Sequence, residues 1–280
     1  MSAKQIVVMT GSAAQHPTPG LYPPRATVSA EAVAEAIKTA QDGSSIRLQE
    51  GDLLTRPDLP GWLGELRGRG FRAIAVETSG WVFAKPGVAK HLKKQGLTHA
   101  LIPLLGSSAA AHDWLTETSG AFARSLRGVR QARAEGLRVR VIAPILRPTF
   151  RNLPDLVRRS LAIGVSGFEF RLPSDADRPA HGYHPHPALA APHVIEALRL
   201  ARAADRSATV TGVPLCLLDD SVKFATELQA PDVVIAGGEA PLSPRVLGDP
   251  CADCAARDRC GGLYESIATP RAWAGITPLG

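Results

Sequence analysis

Residues 120–146 read GAFARSLRGVRQARAEGLRVRVIAPIL, and this stretch decides the fold. From Gly120 to Glu135 apolar side chains recur at helical spacing between arginines, which predicts an amphipathic helix. Gly136 then offers the stop, since a left-handed C-cap costs glycine nothing. Arg138 to Leu146 follows as a run rich in valine and isoleucine, the mark of a strand.

The same unit repeats outward in both directions. Further strands are expected at Gln5 to Thr10, Ser45 to Gln49, Arg72 to Glu77, His99 to Leu105, Gly167 to Leu172, Thr209 to Leu218 and Val233 to Ala236. Between them the periodicity predicts helices over Ala30 to Ala40, Leu59 to Gly68, Val88 to Lys94, Leu153 to Ala162 and Pro192 to Ala204. Gly96 and Gly164 end their helices as Gly136 does. Most of the strands read as apolar throughout, as parallel strands covered on both faces do. Repeated βα units of this number argue for an open or closed β/α barrel, with a doubly wound sheet as the alternative, because periodicity does not reveal strand order.

Composition sets the bounds. The 280 residues carry a formal charge of +6, spread over what read as outer helix faces, and no basic patch is interleaved with aromatics as nucleic-acid binding would want. The first apolar run, Ile6 to Met9, is too short for a signal peptide or a membrane span, so a cytoplasmic protein with reduced thiols is expected.

Ligands collect at the C-terminal ends of parallel strands in either architecture. There the chain has a long loop from Gly11 to Gly20, then Glu50-Gly51-Asp52, Glu77-Thr78-Ser79-Gly80, Gly106-Ser107-Ser108 and His112-Asp113. Small residues with carboxylates at successive strand ends describe a ligand pocket, though they are also ordinary turn residues. Asp113 reads as a helix cap, since adjacent residues such as His112 and Asp113 seldom face one another. The segment His181-Gly-Tyr-His184-Pro-His186-Pro, with His193 beyond, reads as a surface loop. No phosphate loop, zinc-protease helix or nucleophile elbow occurs, and Gly237-Gly238 lacks the third glycine of a dinucleotide fingerprint.

The remaining chemistry lies in four cysteines, Cys216, Cys251, Cys254 and Cys260, all in the last quarter of the chain. A Cys-x2-Cys pair presents two thiolates from one turn. A third five residues on, before Gly261-Gly262, closes three corners of a tetrahedron, and Cys216 can supply the fourth. Disulfides or unrelated thiols are the competing readings.

Taken in order, these motifs resemble the radical SAM superfamily over most of the chain. Glu50-Gly51-Asp52-Leu53-Leu54-Thr55-Arg56-Pro57-Asp58-Leu59 resembles that family's Gly-Gly-Glu-Pro motif and the Arg-Pro-Asp-Leu after it. Val76-Glu77-Thr78-Ser79-Gly80 resembles its Glu-Thr-Asn-Gly strand end, and Gly106 to Asp113 with Gly120-Ala121-Phe122 and Gly128-Val129 resembles its Gly-x5-His-Asp region. Pro-Leu-Cys at Cys216 with Cys-x2-Cys-x5-Cys-Gly is similar to a C-terminal auxiliary cluster of SPASM or Twitch type.

The resemblance implies an α/β fold: a partial (β/α)6 TIM-like barrel over residues 1–205, and a small cysteine-rich metal-binding extension over 206–280. It also implies a 4Fe-4S cluster on Cys216, Cys251, Cys254 and Cys260, with S-adenosylmethionine near Gly51, Asp52, Glu77 and Ser79. One departure is severe. The family's Cys-x3-Cys-x2-Cys corresponds here to Ser12, His16 and Pro19, and proline with one imidazole cannot replace three soft thiolates. The expected protein therefore lacks the catalytic cluster motif. It keeps an auxiliary iron-sulfur site and serves an active radical SAM enzyme as a partner, holding a peptide or small molecule or relaying electrons. The alternatives are repurposed chemistry at the barrel mouth through Asp52, Glu77 and His16, or a structural zinc site on the same four thiolates.

Overall fold

The computed structural model describes residues 5–10, 28–40, 45–173, 183–229, 232–237 and 244–279. Ser12, His16, Pro19, His181 and Gly238 lie outside them. The chain alternates β1 (Gln5–Met9), α1 (Ala30–Thr39), β2 (Ser45–Gln49), α2 (Leu59–Gly68), β3 (Ala73–Glu77), α3 (Val88–Gln95) and β4 (His99–Pro103). It continues through α4 (Ala109–Leu115), α5 (Ala121–Ala134), β5 (Arg138–Pro144), α6 (Leu153–Ala162), β6 (Gly167–Arg171), α7 (Pro187–Ala203), β7 (Ser207–Thr211) and β8 (Asp232–Ile235). A short antiparallel pair, β9 (Arg245–Val246) with β10 (Leu263–Tyr264), and α8 (Pro270–Trp273) complete it.

Eight parallel strands form one sheet in the order β7-β6-β5-β4-β3-β2-β1-β8. This is the partial β/α barrel that the resemblance implied, with eight strands in its sheet, and β7 pairs with β6 at one margin and β8 with β1 at the other. The sheet is strongly curled. At the outer edge of β7, Val210 bridges Ala225, and seven residues later Asp232 already pairs with Ile6 of β1. Seven residues span at most about 25 Å, whereas the same eight strand-to-strand steps laid flat would cover about 38 Å.

Curling gives the strands two unlike faces. Ile46 and Leu48 of β2, Ile74 and Val76 of β3, and Phe168 and Phe170 of β6 point to the helices and join the main apolar core. On the other face the side chains are Arg47, Glu77, Arg140, Glu169 and Arg171, which meet one another inside the curl. The expectation that most strands are nearly all apolar does not hold for β2 (Ser-Ile-Arg-Leu-Gln) and β6 (Gly-Phe-Glu-Phe-Arg), which alternate with period two.

Three further boundaries differ from expectation. The strand expected over Thr209 to Leu218 ends at Thr211, because Gly212 turns left-handed and Pro214 has no amide to give a ladder, so Cys216 sits in a 3-10 turn instead. Helix α4 occupies a segment read as loop, with Ser108 Oγ accepting from Ala111 N at 3.3 Å as its cap. Helix α7 starts at Pro187, five residues before the expected Pro192, and carries Pro192 inside it. Gly136 has φ +79° and ends α5 as its position predicted.

Candidate functional site

At the mouth of the curl, Glu50 and Gly51 take the chain out of β2 with positive φ, unusual for a glutamate. Thr10 Oγ1 donates to the carbonyls of Gln49 at 2.9 Å and Glu50 at 3.3 Å, which holds this turn against β1. Asp52 comes next and is 1% exposed. Its Oδ1 accepts from Thr78 Oγ1 at 2.6 Å, and its Oδ2 accepts from the Ser79 amide at 3.0 Å and from the Ser79 hydroxyl. The carboxylate thus ties the loop after β2 to the loop after β3.

Glu77 ends β3 and is fully buried. Its Oε1 receives both Arg47 Nη2 and, at 2.6 Å, Arg171 Nη2, while Oε2 faces the Glu50 amide at 3.3 Å. Glu169 Oε2 receives the same two arginines, Arg47 Nη1 at 2.7 Å and Arg171 Nη2 at 2.9 Å. Two carboxylates and two guanidinium groups therefore close a ring of four ion pairs across β2, β3 and β6, with Arg140 Nε a further 3.5 Å from Glu169 Oε1. Burial alone would raise the Glu169 carboxyl, but the charges of Arg47 and Arg140 outweigh it and hold the group below the usual range. Sequence reading placed Asp52, Glu77 and Ser79 at the mouth, and they are there. It did not foresee that all three are engaged with protein partners, or that Arg47, Glu169 and Arg171 complete the group.

The third strand-end loop packs tightly on α5. Ser125 Oγ donates to the Ser79 carbonyl at 3.0 Å and accepts from Trp81 Nε1 at 3.0 Å. A Cβ on Gly128 would lie 2.0 Å from the Gly80 carbonyl oxygen, so only glycine fits. His112 is fully buried, with Nδ1 accepting from the Leu105 amide at 3.1 Å. Asp113 caps α5, accepting from the amides of Gly120 at 2.7 Å and Phe122 at 2.8 Å. The two are placed by packing and capping, and do not face each other as an acid-base pair.

The four cysteines line one cavity together with Pro214, Leu247, Trp273 and Ile276. Cys216 reaches it from the turn after β7. Cys251 and Cys254 stand on a tight turn, with Cys254 N bonded to Cys251 O at 3.3 Å, and Cys260 follows another. Two amides face the Cys260 sulfur, Leu215 N at 3.5 Å and Gly262 N at 3.4 Å. Gly262 has φ +68°, and a Cβ there would meet the Val246 carbonyl oxygen at 2.0 Å, so the residue is a required bend and not a flexible spacer.

The thiols feel one another. Burial, and then the neighbouring Cys260, Cys254 and Cys251, push the Cys216 thiol up to about 11. None of the four is in a disulfide, and among the described residues no group of three or more His, Cys, Asp or Glu side chains is placed to hold a metal ion. The surrounding segment is anchored. Arg245 pairs with Glu227 at 2.5 Å and bonds the Gly262 carbonyl at 2.8 Å, and Glu227 accepts from the Gly212 amide at 2.8 Å at the end of β7. Ala256, between Cys254 and Cys260, belongs to the main core.

No protein-family model matches the chain, and no curated protein matches it. Among solved structures it is similar to Streptococcus suis SuiB bound to the precursor peptide SuiA, at 14% identity and TM-score 0.59, over 78% of this chain and 50% of that one. It is similar to SuiB bound to S-adenosylmethionine at 13% identity and TM-score 0.66, over 94% and 73%. A third likeness is to anSMEcpe with bound AdoMet and Cp18Cys peptide, at 11% identity and TM-score 0.57, over 74% and 62%. The chain spans half the length of the first of these. SuiB and anSMEcpe are radical SAM enzymes, and the likeness gives this chain their fold, a curled α/β half-barrel. No helix among the described residues is long and apolar enough to cross a membrane.

Proposed function

We propose that this chain is a radical-SAM-like accessory protein that carries an auxiliary iron-sulfur cluster on Cys216, Cys251, Cys254 and Cys260. It holds a peptide or small molecule, or passes electrons, for an active radical SAM enzyme. The observation that carries the reading is the sharing of one cavity by all four cysteines of the chain.

The donor set fits the group. Four thiolates are the usual ligands of a cubane cluster. The same four thiolates could also hold one tetrahedral zinc, and the colour and metal content of the protein separate the two. When bound, such a cluster supplies one-electron transfer. The chain's own part is to hold the sulfurs: Leu215 and Gly262 donate amides to Cys260, Ala256 docks the loop on the core, and Arg257 bonds the Cys251 carbonyl at 3.1 Å.

Radical initiation is assigned to the partner, because Ser12, His16 and Pro19 stand where the family's three cysteines would. S-adenosylmethionine forms no part of the reading, since Asp52, Glu77 and Ser79 are turned on one another's loops and on arginines. Anaerobic reconstitution followed by iron and sulfide analysis tests the proposal. A brown protein that loses iron and visible absorption after Cys254→Ser with Cys260→Ser is expected. Colourless protein containing zinc, or a cluster that survives the double substitution, overturns it.

A further inference from the structure

We infer that a groove beside the start of α7 binds a carboxylate-rich peptide segment. The groove, about 590 Å³, lies where the turn after β5 and the residues before α7 meet the C-terminal segment of Ser266 to Ala272. Its charged lining is Arg147, Arg151 and Arg271, and among the described residues no aspartate or glutamate lines it. The volume falls within the range of about 300–1,000 Å³ common to ligand sites.

Each guanidinium is carried on fixed backbone. Arg147 N donates to the Tyr183 carbonyl at 2.7 Å, Arg151 lies over the Phe150 ring at 4.5 Å, and the Arg271 carbonyl bonds His186 Nε2 at 2.9 Å. The 17-residue α7 also opens toward the groove with the positive end of its dipole. Planar guanidinium groups match carboxylates two bonds at a time, which selects this class of anion by geometry as well as charge.

The rest of the lining argues for a peptide. Leu189, 61% exposed, and Ile267 add apolar contact to the same lining, which a chain carrying both acidic and aliphatic side chains would use. Phe150 is buried and its face is taken by Arg151, so that ring offers no stacking platform. The inference gives the substrate-holding part of the reading above a location and a chemistry. It rests on that part for the ligand being a peptide, and not on the cluster.

The test is fluorescence anisotropy of the full chain with a labelled decapeptide of alternating Glu and Leu, beside a Lys-Leu peptide and a single-stranded oligonucleotide of equal charge. Preference for the Glu-Leu peptide is expected, with affinity falling about tenfold or more in Arg147→Ala with Arg271→Ala at an unchanged unfolding midpoint. Unchanged affinity in that variant, or equal binding of the oligonucleotide, overturns the inference. Peptide affinity should be the same in the reconstituted and the metal-free wild-type chain, so a chain that takes up no cluster yet prefers the Glu-Leu peptide refutes the cluster reading and spares the groove.

Discussion

Arg47 on β2 and Glu169 on β6 lie four strands apart in the sheet order, yet their side chains meet at 2.7 Å. In a flat sheet those strands would stand about 19 Å apart. The contact exists because the sheet curls, and it joins a ring with Glu77 and Arg171 whose members face the inside of that curl. Leaving one buried charge unpaired is expensive, of order 3–5 kcal/mol. Glu77→Gln should therefore cost about that much in urea unfolding, and a loss below about 1 kcal/mol would show that the ring does not hold the curl.

Acid should weaken the fold through two groups. His99, on β4, is held down to about 4 by burial and then by the charges of Arg138 and Arg140. The unfolded histidine takes its proton near pH 6.5, so between those values the unfolded state binds more protons and stability falls as pH drops. Glu169 acts in the same direction lower down: its depressed folded value gives stability present above the ordinary glutamate range and lost as pH falls through the folded value. His99→Gln should flatten the unfolding midpoint between pH 6.5 and pH 4. A slope as steep as the wild type's would count against this account.

Two glycines in helices should respond oppositely to alanine. At Gly128 a Cβ meets the Gly80 carbonyl oxygen at 2.0 Å, so Gly128→Ala is expected to destabilise by about 1–3 kcal/mol. At Gly64 in α2 a Cβ meets nothing within 4 Å, and the same change should stabilise by about 0.4–1 kcal/mol. Thermal midpoints of the two variants settle it, and a shift of the same sign in both would contradict the packing.

Asp113→Ala removes the acceptor for two amides at the start of α5. A loss of about 0.5–2 kcal/mol is expected by chemical denaturation. Asp113→Asn should recover much of it, since an amide oxygen still caps; if it recovers nothing, charge and not capping is the source.

The βα rhythm was legible because it is local. Ser45–Gln49, Leu59–Gly68 and Leu153–Ala162 fall where apolar spacing and end signals put them. Helix α4 was missed although Ser108 stands as a cap before an alanine run, because seven residues give periodicity too little length. The strand at Ser207–Thr211 was extended too far by reading past Gly212 and Pro214. Period-two alternation in β2 and β6 was visible in the sequence, but the pairing of Arg47 with Glu169 spans 122 residues and depends on the curl itself. Asp52 and Glu77 were found by position at strand ends; their partners were not, since those arrive from other strands and loops. The cysteine spacing showed how two thiols could share a turn with a third close behind, while the joining of Cys216 to them depends on where β7 ends.

Cys216 leaves the sheet from β7 at one edge, whereas Cys251, Cys254 and Cys260 follow β8 at the other. Whatever engages all four sulfurs therefore joins segments that leave the sheet from its two outermost strands, as a clasp joins the margins of an open cylinder. The slowest amides to exchange should then include those of the margin strands only in the fastened protein.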